Sequence, residues 1–245
     1  MARSLILGGT RGLGLALADE SISRFIATIA IGRSADPVPG SIREVIKADL
    51  ADPGALARVM RPEWQNVRYV FWVAGIFLRK QLCDCGPEEI DTMVRTHLTG
   101  PIGALTAFHR LMKNAAPLAD PPGLPYHLVV VASTSSWKVR QEEALYCALK
   151  AAKAHLTRNF AREIIADLPG SKVTLVNPGG IRTPGFWRNT GQDISRYMEP
   201  ADLAKVIWDH VLSQTGPFDE IQVLRDLTDG TPFVERGPHK PESPF

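Results

Sequence analysis

Tyr146 and Lys150 stand four residues apart in the run EEALYCALKAAKAHL, a spacing that puts both side chains on one face of a helix. A phenol beside an ammonium can move a proton near neutral pH. The positive charge favours phenolate, so the expectation is a Tyr146 pKa below the reference of about 10. Upstream, LVVV at Leu128–Val131 reads as a buried parallel strand, and Ser133, Thr134, Ser135 and Ser136 follow its carboxyl end. The residue types suggest proton chemistry, provided that a strand end and a helix face are held together.

The elements around this stretch alternate. Ser4–Leu7, Ala27–Ile31, Val45–Ala48, Arg68–Ala74, Leu128–Val131, Lys172–Val176 and Glu220–Leu224 read as strands. Helices are expected at Gly12–Arg24, from Pro53 to about Met60, from Pro87 with a bend or break at Gly100 and Pro101, from about Glu143 to Ala166, and from Pro200 to about Leu212. Alternation of this kind predicts an α/β fold: a doubly wound parallel sheet, three layers α/β/α, in one domain over 1–245. The tail 231–245 carries several prolines and little periodicity, and is expected to be extended or partly disordered unless a partner subunit orders it. The formal charge of +2 is too small to argue for nucleic acid or an anionic membrane. No apolar run nears transmembrane length and no signal peptide is visible, so a cytoplasmic protein is expected. Cys83, Cys85 and Cys147 form no disulfide framework or zinc-ligand spacing, and no metal site is indicated.

Gly8-Gly9-Thr10-Arg11-Gly12-Leu13-Gly14 follows the first strand and opens the first helix. Glycines there let the backbone turn sharply and let a pyrophosphate approach the positive helix end. With that spacing, the Tyr-x-x-x-Lys pair and a serine thirteen residues before the tyrosine, the chain resembles the short-chain dehydrogenase/reductase family over roughly residues 3–225. The family's first motif begins Thr-Gly, and Leu7 stands here in place of the Thr. The resemblance implies a Rossmann-type oxidoreductase that interconverts a ketone or aldehyde and an alcohol by hydride transfer. Tyr146 would be the acid/base, Lys150 would lower its pKa and bind the nicotinamide ribose, and Ser133 would polarise the carbonyl. Thr134, Ser135 and Ser136 could share that polar work.

The cofactor follows from charge. An NAD-preferring site places an acid at the end of the second strand; Gly32 and Arg33 stand there, with Arg11 inside the glycine loop. Two guanidiniums suit a 2′-phosphate, so NADP(H) is expected rather than NAD(H), with Asp36 a rival acid in a Pro-flanked loop. The resemblance assigns Asp49 and Leu50 to the adenine, although Asp49 could instead cap a helix. It assigns Ala74 and Gly75 to close approach beside the cofactor, and Pro178, Gly179, Ile181 and Thr183 to the nicotinamide. Two departures stand out: His97 replaces the family's relay Asn, and Trp72-Val73 replaces an Asn pair. His97 could sustain the relay or simply satisfy backbone carbonyls.

The segment 184–199 falls where the family has its substrate lid. Phe186, Trp187 and Tyr197 could wall a pocket, Arg188 and Arg196 leave an anionic substrate open, and a mobile loop is the plain alternative. The resemblance also implies a homodimer or homotetramer built on Glu88–Met112 and Glu143–Ala166. A non-catalytic NADP(H)-binding regulator or redox sensor, and a different reaction such as epimerisation on the same fold, are the rival readings.

Overall fold

The computed structural model describes residues 2–34, 44–115, 123–188 and 190–237. In chain order it contains β1 (Arg3–Leu7), α1 (Gly12–Ser23), β2 (Ala27–Gly32), β3 (Glu44–Lys47), α2 (Ala55–Val59), β4 (Val67–Trp72) and α3 (Pro87–Val94). Then come α4 (Gly100–Lys113), β5 (His127–Val131), α5 (Ala144–Asp167), β6 (Lys172–Pro178), α6 (Pro200–Ser213), β7 (Phe218–Arg225) and β8 (Pro232–Arg236). The strands form one sheet in the order β3-β2-β1-β4-β5-β6-β7-β8. All neighbours are parallel except the antiparallel β7–β8 pair.

Apolar runs without polar alternation are what a sheet covered on both faces requires. Along β1, Leu5 and Leu7 enter one core and Ile6 the other; along β5, Leu128 and Val130 oppose Val129 and Val131. Helices α4 and α5 close the first face, α1 and α6 the second. Trp208 of α6 fixes the second layer, donating its indole N–H to Leu17 O at 3.0 Å and packing 4.8 Å from Phe71. Each buried Leu, Ile or Val contributes about 1.5–3 kcal/mol, so a charge placed at a central position such as Val129 should break the sheet.

Of the bend or break expected at Gly100 and Pro101, the structure shows no break. A π-helical turn, Arg95–Thr99, joins α3 to α4 and accommodates a proline that has no N–H to donate. Gly100 is needed there because a Cβ would sit 1.6 Å from Leu50 O. Within the segment expected as a tail, Pro232–Arg236 form the extended edge strand β8. Asp226 accepts from the Thr228 N–H at 2.7 Å and Gly230 takes φ +81°, which closes a hairpin onto β7. Pro232 begins the edge strand, where a missing donor costs little. Asp36 and residues 238–245 lie outside the described residues. Among the described residues no helix is long and apolar enough to cross a membrane.

Candidate active site

Parallel strands that end at one edge bring the loops after β1, β4, β5 and β6 together. After β1, Gly8 adopts φ +94° and donates its N–H to Ile31 O at 2.8 Å. A Cβ on Gly8 would lie 2.8 Å from Ala74 N, and one on Gly12 would lie 3.0 Å from the Thr183 methyl. The loops carrying Gly8, Ala74 and Thr183 therefore meet. Thr10 packs under Gly32, where a Cβ would come 2.1 Å from its hydroxyl, and Ser34 lies 3.5 Å from that hydroxyl. Arg11 is exposed at the start of α1, whereas Leu13 and Gly14 are buried in its first turn.

At the far end of the loop, Arg33 and Asp49 line a cavity of about 280 Å³ with Ala51, Asp52, Thr92, Arg95 and Thr96. Asp49 also accepts from the Ala51 N–H at 3.0 Å, so it supports its own turn while facing the cavity. Leu50 is 6% exposed and packs in the core. Arg95 was missed by sequence reasoning; it pairs with Asp91 at 2.8 Å. Its signal was a cation two positions before His97, at the sheet edge to which Arg33 also belongs.

The candidate reaction centre lies where β5 meets α5. Ser133 caps the short turn after β5, accepting from the Ser135 N–H at 3.1 Å. Thr134 and Ser135 are buried, and Ser136 turns toward Asn177 at 3.3 Å. Of the four hydroxyls, Ser133 is the one that hydrogen-bonds Tyr146. Tyr146 is only 5% exposed. Lys150 Nζ donates to Ala132 O at 3.1 Å and lies 5.5 Å from the Tyr146 ring centroid.

The expected lowering of the Tyr146 pKa is reversed. Burial pushes the phenol above its ordinary value of 10.0, and the Ser133 hydrogen bond opposes that rise only in part. Burial also lowers Lys150 to about 8. Desolvation penalises the charged form of both groups, so a lone ammonium near the ring does not make the resting phenol a phenolate.

His97 is fully buried, with Nε2 2.8 Å from Ile76 O and Nδ1 without a hydrogen-bond partner. The Ile76 N–H also donates to Nε2, at 3.2 Å, so the roles of the two ring nitrogens follow the tautomer. Burial first, then the charges of Lys150 and Lys153, hold its pKa well below 6.5. The imidazole is neutral at pH 7. A Cβ on Gly75 would lie 3.6 Å from His97 Nδ1 and 3.7 Å from Lys150 Nζ, so both nitrogens flank one point.

Lys153 was missed altogether. It is fully buried, with Nζ 4.0 Å from the Trp72 ring centroid and no hydrogen-bond partner. The signal was present: Tyr146, Lys150 and Lys153 fall at helical spacing on one face. Trp72 Nε1 is also unpartnered.

On the nicotinamide side, Pro178 ends β6 and the Gly179 N–H is held by Val223 O at 2.9 Å. Ile181 pairs with Met198, and its carbonyl accepts from the Thr183 N–H and Trp187 Nε1, each at 2.8 Å. The segment after β6 thus leaves and returns at one short bridge. Its Phe186 and Trp187 reach the neighbourhood of Tyr146 through Phe77. Among the described residues no cluster of His, Cys, Asp and Glu could hold a metal ion.

Against this geometry the comparisons agree. A family model described as short chain dehydrogenase matches residues 3–193. A 3-dehydrosphinganine reductase of Arabidopsis thaliana is 27% identical over 191 residues, 74% of this chain and 55% of that protein. The match thus spans little more than half of that relative. An uncharacterized oxidoreductase of Staphylococcus saprophyticus is 20% identical over 215 residues, 82% of this chain and 87% of that one. A crystal structure of a short-chain dehydrogenase/reductase from Vibrio parahaemolyticus superposes with a TM-score of 0.73 at 25% identity, covering 91% of this chain and 100% of that one. An alcohol dehydrogenase from Thermococcus sibiricus, complexed with 5-hydroxy-NADP, shares the fold with a TM-score of 0.75 at 20% identity, covering 91% and 96%.

Proposed function

The chain belongs to the short-chain dehydrogenase family, and from that premise we propose an NADP(H)-dependent reductase that interconverts a ketone or aldehyde and an alcohol. The observation that carries this reading is the meeting of Ser133, Tyr146 and Lys150 at the end of β5. The glycine loop fits a dinucleotide: its close approaches to Ala74 and Thr183 leave no room for side chains at Gly8 and Gly12. Gly8, Thr10, Arg11, Gly12, Leu13 and Gly14 would hold the pyrophosphate, and Arg33 and Asp49 the adenosine. Ala74, Gly75, Pro178, Gly179, Ile181 and Thr183 would hold the nicotinamide end. The cofactor, when bound, supplies or accepts the hydride.

The protein's own part is proton handling. A phenol whose pKa is raised by burial remains protonated at neutral pH. Tyr146 is therefore set to donate its Oη proton to a carbonyl oxygen, which favours reduction. Ser133 orients that oxygen with its hydroxyl. Lys150, still largely an ammonium at pH 7, stabilises the phenolate that donation leaves. His97 takes the relay position: its Nδ1 and the Lys150 amine flank one point, and once Lys150 has returned a proton to the Tyr146 phenolate, a proton from solvent can reach that amine past the imidazole.

NADP(H) is preferred because Arg33, exposed and lining the cavity, directly follows β2 where an NAD site would place an acid. A homodimer or homotetramer built on α4 and α5 belongs to the same reading; Ile102, 39% exposed on α4, is one outward apolar position, and light scattering tests it. So does a cytoplasmic location, motivated by three free cysteines. The test of the central claim is Tyr146→Phe. Turnover should vanish with NADPH affinity intact; surviving turnover would remove Tyr146 from the chemistry, and a regulator's output would be untouched by the change.

A further inference from the structure

Tyr146 does not sit in a polar cleft. Around it lies a third apolar cluster, separate from the two cores of the sheet, in which Met93, Tyr146 and Leu149 pack with Ile76, Phe77 and Phe186 among others. The central ring is Phe77, just beyond the Gly75 turn after β4. It meets Tyr146 edge-on, with centroids 4.8 Å apart and planes at 84°. It stacks on Phe186 at 5.5 Å and 25°, and touches Trp187 at 4.8 Å. Trp187 continues to Tyr197 at 5.2 Å. Phe77 and Phe186 are each only partly buried, although their neighbours are apolar. The stacked face of Phe77 is thus covered by a lid ring and not by the protein core. A flat apolar group entering beside Tyr146 can replace the Phe186 ring on that face without leaving any polar group unpaired.

Several charges around this mouth are paired, while Arg188, beside Trp187, is exposed to water. Arg79 pairs with Glu142 at 3.1 Å and Lys80 with Glu89 at 2.7 Å. Arg182 pairs with Glu199, and Arg225 lies over the Tyr197 ring at 4.6 Å. Arg196, which left an anionic substrate open, lies in the field of Asp193. A substrate carboxylate would have to compete with these acids and shed its water in an aromatic enclosure, which is costly without a dedicated cation.

We propose that the substrate is a neutral carbonyl compound with a flat apolar group, an aryl or conjugated ketone or aldehyde, and that Phe77 is the residue that selects it. The proposal rests on the reductase reading and narrows it to one substrate class. The flat group takes the Phe186 position on Phe77, and the carbonyl oxygen then reaches Tyr146 and Ser133.

The experiment compares acetophenone, butanone and pyruvate in wild type, Phe77→Ala and Phe77→Leu, each checked for an unchanged melting profile. NADPH oxidation is read as kcat/KM, and binding to the NADP+-loaded protein by saturation-transfer NMR. In wild type, acetophenone should bind and turn over at least tenfold better than butanone, and pyruvate should do neither. Phe77→Leu keeps apolar volume but loses the ring; it should cost acetophenone about tenfold and butanone less than about threefold. A preference for pyruvate, or an equal loss for both ketones, overturns the proposal and leaves the reductase reading standing. Acetophenone binding that weakens in both variants but is never followed by NADPH oxidation sinks the reductase reading and keeps the substrate class. Absence of acetophenone binding overturns the class outright.

Discussion

The two ends of the candidate site are built on opposite electrostatic plans. At one end, Arg33, Asp49, Asp52 and Arg95 surround an open cavity, and their charges stay in contact with water. Beneath Tyr146, His97, Lys150 and Lys153 are buried, and two of the three expose a nitrogen to no partner at all. Water at the first end lets recognition be written in the sign of charge, at modest cost per residue. Its absence at the second forces each base toward its neutral form. One end can select a charged group; the other can store and pass a proton. The difference explains why one site needs both a loop and a core.

The sharpest way to break the comparison is Tyr146→Phe. General acid catalysis is worth about 10²–10⁴-fold, so kcat for carbonyl reduction should fall at least a hundredfold while the NADPH dissociation constant stays put. Equal loss in both quantities would mean that the buried end also builds the cofactor site.

Arg33→Ala addresses the other end. A charge-assisted hydrogen bond to a phosphate contributes about 1.5–3 kcal/mol, so NADPH should bind roughly ten- to a hundredfold more weakly. NADH binding should not change. Fluorescence titration reads both, and equal losses would show that Arg33 merely holds the loop.

His97 comes next. Because its pKa lies well below 6.5, the neutral ring is the working form and turnover should not show an inflection from this residue near pH 6.5. His97→Asn, which keeps a donor and an acceptor, should retain turnover within about threefold, whereas His97→Leu should lose about tenfold. A Leu variant as active as the Asn variant would reduce the imidazole to a partner for the Ile76 backbone. Stopped-flow pH profiles of the two variants decide it.

Much of this was legible in the chain itself, for identifiable reasons. The strands were readable because a sheet covered on both faces leaves near-continuous apolar runs, as in Leu128–Val131. Tyr146, Lys150 and Ser133 were readable because one helix turn and one strand end fix them locally. What escaped depends on burial or on distant contacts. The sign of the Tyr146 shift could not come from spacing, since Lys150 was visible but the desolvation was not. Phe77 gave no periodic signal; its role exists only because the β4 loop, α5 and the lid converge. The β7–β8 hairpin was missed although Asp229-Gly230 is a turn signal, because the prolines around it read as a tail.

Lys153→Met gives the smallest effect and the cleanest reading of the buried end. Two forces act on this amine. Trp72 lies 4.0 Å away, a contact that would favour the ammonium by about 2 kcal/mol when desolvated. Burying an unpaired ion costs several kcal/mol, and the Lys150 charge adds to that cost. Desolvation wins, so burial holds the folded-state pKa of Lys153 well below 10.5. The unfolded chain takes up a proton below that value and the folded chain does not. Stability must therefore fall as pH drops from 10.5 toward the folded pKa, because the unfolded state binds the extra proton. Methionine has similar length and no charge to bury. The variant should melt about 2–8 °C higher at pH 7, and its melting temperature should depend less on pH between about 7 and 9. If the variant melts lower at every pH, the cation–π contact outweighs desolvation and Lys153 is an ammonium in the fold. Lys153 would then add a second fixed positive charge beneath Tyr146 beside the Lys150 ammonium, and the contrast with the Arg33 end would weaken.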